Sequence, residues 1–276
     1  MKTYFFYSIM LIILSVHTMN AQEENPINYL RQLPKNLELD KAIIRSYQMT
    51  TDYYDFDLKS NFSGKRRITG IITYGPDENS AQWKDVYFSE SKNSDETFPQ
   101  GKKIAFLQHF KYQPTEKVLT TDFFKNHLPE ADPFVMNLIW DALAFESLAY
   151  CCWDSLKLNE EFRAKEINSK MEIANIGTFE NKDITITWLG VTEINNEICA
   201  ILKYSVMNNP LDVTFENTSM KGRSHYWGEI YVSLSDKQIE YATLTEDVLT
   251  DVKLKNQPEH IIGYTVRTIY LSKFKN

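Results

Sequence analysis

The sequence predicts a mainly β fold of the α+β class: a curved antiparallel sheet, an open half-barrel, wrapped around one buried helix. Three observations predict it. Residues 222–254 (GRSHYWGEIYVSLSDKQIEYATLTEDVLTDVKL) read as two long strands joined by a Ser-Asp-Lys turn. In the first arm Tyr226, Gly228, Ile230, Val232 and Leu234 fall on one face, and His225, Trp227, Glu229, Tyr231 and Ser233 on the other, the period of two that marks a strand. Residues 133–158 carry apolar side chains at spacings of three and four around most of a helix. Finally, the strands have two mixed faces instead of the continuous apolar runs of a parallel sheet.

Taken in order, residues 22–40 are polar with two prolines and read as a mobile lead-in, with a short helix near 29–32. Strands are expected over 42–54, continuing into 55–62, over 67–74 (RITGIITY) before Gly75-Pro76, over 83–89 and over 102–112. Lys65-Arg66-Arg67 reads as a solvated strand edge that discourages edge-to-edge pairing. A helical insertion follows at about 121–158. Thr121-Asp122 caps a short helix over 123–127. Asp132 then stands as N-cap with Pro133 in the first helical position, and the main helix runs to about Leu158. Beyond it, strands are expected near 171–179, over 182–192 and 197–207 as a hairpin, and over 260–273. A loop with Asn208-Asn209-Pro210 and more Asn and Ser leads into the long hairpin. The count is about ten strands in one domain spanning 41–276.

The chain has 276 residues and a formal net charge of −7, without a basic stripe, which argues against nucleic acid as a partner. Met1-Lys2 followed by the apolar run 4–16 and a small residue at Ala21 reads as a signal peptide over residues 1–21. The apolar run is too short to span a bilayer comfortably, so the mature protein is expected to be exported and not membrane-spanning. The ending Asn-Ala-Gln resembles exported proteins of Gram-negative bacteria, which places the chain in the periplasm or outside the cell. Three cysteines, Cys151, Cys152 and Cys199, allow one disulfide, best made by Cys199 with one of the adjacent pair, or three buried thiols.

No phosphate-binding loop, dinucleotide fingerprint, zinc-protease helix or nucleophile elbow is present. The histidines show no metal-ligand spacing, and His225 with Glu229 lacks further ligands, so no metal or cofactor is implied. Glu229, Glu240, Glu246, Asp247 and Asp251 lie in the long hairpin, and such acids on adjacent strands read as an exposed outer face. Tyr226, Trp227, Tyr231, Tyr241, Tyr264 and Tyr270 fit either cross-strand packing or a sugar-binding platform.

Antiparallel strands, a mid-chain helix and a signal peptide together resemble the LolA-like family of periplasmic lipoprotein and lipid carriers. The likeness is of architecture over residues 41–274, and YWGEIYVSLSDKQIEYATL (226–244) is similar to that family's long hairpin. The resemblance implies a half-barrel that holds acyl chains in its concave face. The function expected is non-catalytic binding of a hydrophobic small molecule or lipid between sheet and helix. Phe134, Leu138, Phe145 and Trp153 would form the helix wall, facing Trp188, Tyr226 and Ile230 on the sheet. The alternative is an envelope protein that docks a partner protein through its strand face and has no ligand cavity. A hydrolase with an unrecognised site is the third reading.

Overall fold

The computed structural model describes residues 26–37, 39, 43–77, 79–173, 177–215, 218–255 and 260–274. The expected signal peptide lies outside the described residues. A four-residue helix α1 (Pro26–Tyr29) opens the described chain. Then come β1 (Arg45–Phe56), β2 (Phe62–Tyr74), β3 (Ala81–Ser91), β4 (Lys102–Lys103) and β5 (Lys111–Tyr112). Helices α2 (Thr121–His127) and α3 (Pro133–Tyr150) follow. The rest is strand: β6 (Glu161–Arg163), β7 (Ser169–Ile173), β8 (Gly177–Asn181), β9 (Thr185–Ile194), β10 (Glu197–Val206), β11 (Pro210–Phe215), β12 (Thr218–Ser233), β13 (Ile239–Leu254) and β14 (His260–Lys273).

All fourteen strands among the described residues join one open antiparallel sheet. Its main path runs β4-β3-β2-β1-β14-β13-β12-β10-β9-β6. The first long strand and the last pair in its middle, Met49 opposite Leu271. Strand β12 is long enough to serve two neighbours on one edge: Tyr226–Ser233 pairs with β10, and Thr218–Arg223 pairs with β11, which continues to β8 and β7. The register shifts at Asp55/Phe56, Thr69/Ile71, Ile201/Leu202 and Tyr231/Val232; each adds local twist, so the sheet curves instead of lying flat. At Gly228 the neighbouring strand comes close. The Tyr204 hydroxyl crosses over it to donate to the Thr243 carbonyl at 2.8 Å, and a Cβ there would lie 1.9 Å from that same oxygen.

Helix α3 begins where expected. The Asp132 carboxylate accepts from the Val135 amide at 2.9 Å, and Pro133 occupies the first turn. It stops eight residues early: Cys151 caps it and Trp153 sits on a separate 3-10 turn, Trp153–Ser155. Its buried side chains, Leu138, Ile139, Ala142, Phe145, Leu148 and Ala149 among them, pack on the inner face of the sheet with Met49, Ile72, Trp83, Trp188, Leu202 and Ile230.

Several expectations are corrected. The stretch 102–112 is two short strands around a 3-10 turn, with His109 at φ 62°; 171–179 is two strands; and 210–215 is a strand, because its backbone is needed to pair β12 with β8. Thr120, not Thr121-Asp122, caps α2 by accepting from the Phe123 amide. The lead-in is pinned: Leu33 and Leu37 are buried, the Trp153 indole donates to the Pro34 carbonyl, and the Asn36 amide donates to Asp154. Lys65-Arg66-Arg67 lies on an interior strand, not an edge. Lys65 is buried and donates to the carbonyls of Ser94 and Glu96, and Arg67 forms a two-point ion pair with Asp52. The three thiols are free. Cys152 and Cys199 are buried, and burial pushes the Cys199 thiol up to about 12.

The closeness at Gly228 has a measurable consequence. Gly228→Ala forces the β12–β13 backbones apart and should lower stability by roughly 2–3 kcal/mol in urea unfolding. Gly64→Ala, whose added Cβ would meet only the Ser91 carbonyl at 3.8 Å, should cost far less. Equal losses would show that the close approach carries no weight.

Candidate functional site

The strand register sorts the inner face into rows. Across β2, β1, β14, β13 and β12, one row reads Arg66, Tyr53, Arg267, Glu246, Tyr226. Helix α3 adds Asp141 to this row. The Arg267 guanidinium donates to both Asp141 oxygens at 2.7 and 3.1 Å and donates from Nε to Glu246, which also accepts from the Ser224 hydroxyl. All four residues are buried. Arg66 pairs with Asp55 and lies over the Phe134 ring at 4.5 Å, and the Thr265 hydroxyl donates to Asp55 at 2.7 Å. These groups form a polar belt across the sheet that meets α3 at its start, through Phe134, and at its middle, through Asp141.

A second set of charges holds the other end of the helix. Arg45 donates to Glu146 at 2.6 Å and lies 4.5 Å over the Tyr74 ring. Lys273 bridges Asp236 and the buried Glu240, and the Tyr150 hydroxyl donates to the Lys237 carbonyl in the β12–β13 turn. The acids of the hairpin are therefore not one exposed face. Glu229, Asp247 and Asp251 point outward, whereas Glu240 and Glu246 point inward, are buried and are paired with cations.

Between these two sets the face is apolar and filled. Leu138, Phe145 and Ile230 are 0% exposed, Trp188 1%, Trp153 3% and Tyr226 8%; only Phe134 is half-buried, against Tyr53 at 5.1 Å. The structure brings all seven expected wall residues into one core. Leu138, Phe145 and Ile230, which no solvent touches, border no water-sized space, so a ligand against these three requires α3 to move away.

Beyond the belt the same inner face continues without the helix. There the rows run Gly263, Thr250, Gly222, Leu211, Phe179, Met171 and then Ile261, Val252, Met220, Val213. Met171 and Val213 are buried outside the main core, Phe179 packs against that core, and Leu211, Met220, Val248 and Val252 are half-exposed. Ile261 is 52% exposed. This apolar surface is hidden in the sequence because Asn208-Asn209-Pro210 and the Asn and Ser after it read as a loop, and 171–179 reads as one strand. The available signal was the alternation of Leu211, Val213 and of Met220, Gly222, each apolar or small on one side.

No protein-family model and no curated protein matches the chain.

The belt places one guanidinium between two buried carboxyls. Burial pushes the Asp141 carboxyl up to about 7, against the pull of Arg267 and with a further push from Glu246. A proton on Asp141 makes the trio neutral. Since this folded value exceeds the unfolded one, the unfolded chain binds fewer protons between about pH 4 and 7, and the contribution of Asp141 to stability falls as pH rises through that window. Asp141→Asn removes the titration. The melting temperature of wild type relative to this variant should therefore fall from pH 4 to pH 7; a relative value that climbs would overturn the assignment.

Proposed function

We propose that the protein is an exported, non-catalytic binding protein for the acyl part of a lipid or lipoprotein, acting in the periplasm or outside the cell. The ligand lies on the inner face beyond the belt. The observation that carries this is the run of half-exposed apolar side chains there, Leu211, Met220, Val248, Val252 and Ile261, on a sheet face that α3 leaves uncovered. Covering such a surface is favourable by about 25 cal/mol per Å² of apolar area removed from water. An acyl chain supplies that cover without polar groups that would need partners. Arg66, Asp55 and Thr265 at the belt give the polar end of an amphipathic ligand groups to meet. The architectural likeness to LolA-like carriers, in which an open sheet holds acyl chains, supports the same reading. In this reading the helix-covered part of the face is a scaffold, and Leu138 and Phe145 act by holding α3 down.

A second reading, a module that docks an envelope protein, is favoured by the filled space under α3. Native mass spectrometry of the protein after incubation with phosphatidylethanolamine vesicles separates the two. Acyl binding predicts a bound lipid at about one per chain, lost in Met220→Asp and Val252→Asp, whose half-exposed positions accept a carboxylate without unfolding. A protein that takes up no lipid, or variants that retain it fully, would move the assignment to the docking module.

A further inference from the structure

The opposite face of the central strands has a different chemistry. Tyr231 and Tyr241 stand directly opposite each other on β12 and β13, with ring centroids 5.9 Å apart. Tyr270 on β14 pairs with Thr243, one pleat along from Tyr241, and is 43% exposed. Trp227, 37% exposed, lies four residues back along β12. The three tyrosines lie on adjacent strands, so their platform spans about 10 Å at the usual strand spacing. Around the rings the register places hydroxyls: Thr243 and Thr50 on either side of Tyr270, and Thr245 between Trp227 and Thr268.

Charges on this face stand beside opposite-sign neighbours. Asp52 takes two hydrogen bonds from Arg67, both 2.6 Å; Arg223 pairs with Asp247 at 2.6 Å; and Glu229, whose carboxylate accepts from the Tyr231 hydroxyl at 2.6 Å, lies opposite Lys203 in the β10–β12 register. A basic stripe, which a nucleic acid or anionic lipid surface requires, is not formed by these groups, and the chain's net charge of −7 opposes any polyanion. Large aliphatic side chains, which a protein-binding core or a membrane-inserting surface would use, stand only at the margins of the platform, Ile201 opposite Tyr231 on β10 and Val266 and Ile262 further along β14. Exposed aromatic faces flanked by hydroxyls on an electrically balanced surface match a ligand that is itself uncharged, with C–H faces to lay on rings and hydroxyl edges to hydrogen-bond.

We propose that the outer face of β1, β14, β13 and β12 binds a neutral glycan chain, with Tyr231, Tyr241 and Tyr270 as its stacking platform and Trp227 as an outlying contact. The inference rests on this face alone and is independent of the acyl-binding reading of the inner face.

Isothermal titration of the purified protein with three neutral hexasaccharides tests it: β-1,4-linked glucose, β-1,3-linked glucose and β-1,4-linked N-acetylglucosamine. Saturable binding of at least one is expected, weakened about tenfold by Tyr241→Ala and by Tyr270→Ala, each loss the order of one good aromatic contact. Val252→Asp on the inner face should leave it unchanged. Tyr270→Ala removes an exposed ring and should keep the wild-type melting temperature, so its result stands whatever happens to Tyr241→Ala. No saturable binding of any of the three, full binding by Tyr270→Ala, or binding only of polygalacturonate or phosphatidylglycerol vesicles would overturn the proposal.

Discussion

Arg267 is the point on which the architecture turns. It stands on the last strand, in the middle of the sheet, and grips Asp141 of the helix and Glu246 of the neighbouring strand at once. A buried ion pair of this kind adds little net stability over an apolar contact of the same shape, because desolvation offsets the Coulomb gain. Breaking it is another matter, since a stranded buried charge costs about 3–5 kcal/mol. Its effect is therefore one of position. Sliding α3 along the apolar face would leave Asp141 or Arg267 without its partner, and sliding β13 against β14 by one residue would turn Glu246 outward. Helix and sheet register are set by the same three side chains.

Apolar packing alone would not set the helix so definitely. Leu138, Phe145 and their sheet neighbours could pack in several ways at similar cost, since cores tolerate rearrangement when volume is kept. The Arg267–Asp141 pair at mid-helix and the Arg45–Glu146 pair in its C-terminal half leave one arrangement that satisfies every charge. The same belt ends the covered part of the inner face. On one side of it the face is sealed by α3; on the other the strands run on as a half-exposed apolar surface. The boundary between scaffold and candidate binding surface is thus electrostatic in origin.

Much of the fold was legible in the chain. Asp132-Pro133 marked the start of α3 because a capping carboxylate and a residue lacking an amide proton suit a helix start and little else. Alternation in 222–254 marked the long hairpin, and its face carrying Tyr226, Ile230 and Val232 is the inner one. The seven expected wall residues all join or pack against one core, since burial follows from apolar periodicity. Whether inward-facing residues line a space or fill it is not a property of periodicity. Strand β14 shows the limit: Ile262, Tyr264, Val266, Thr268 and Tyr270 form the more apolar alternate set, yet they face outward, while Arg267, Ile269 and Leu271 face in. A charged residue inside the inner set misleads a reading that knows only hydropathy.

By itself the sequence determined the mainly β class, the antiparallel character of the sheet and the start of its main helix, because these depend on neighbours within a few residues. Only the tertiary structure decided which acids are buried, that Lys65-Arg66-Arg67 is interior, and that the lead-in is pinned through Leu33, Leu37 and Trp153. Each of these rests on a partner far away in the chain: Asp141 on Arg267, Lys65 on the carbonyls of Ser94 and Glu96, Trp153 on Pro34. Charge pairing across such distances leaves no local pattern, so it becomes visible only when the strands are laid side by side.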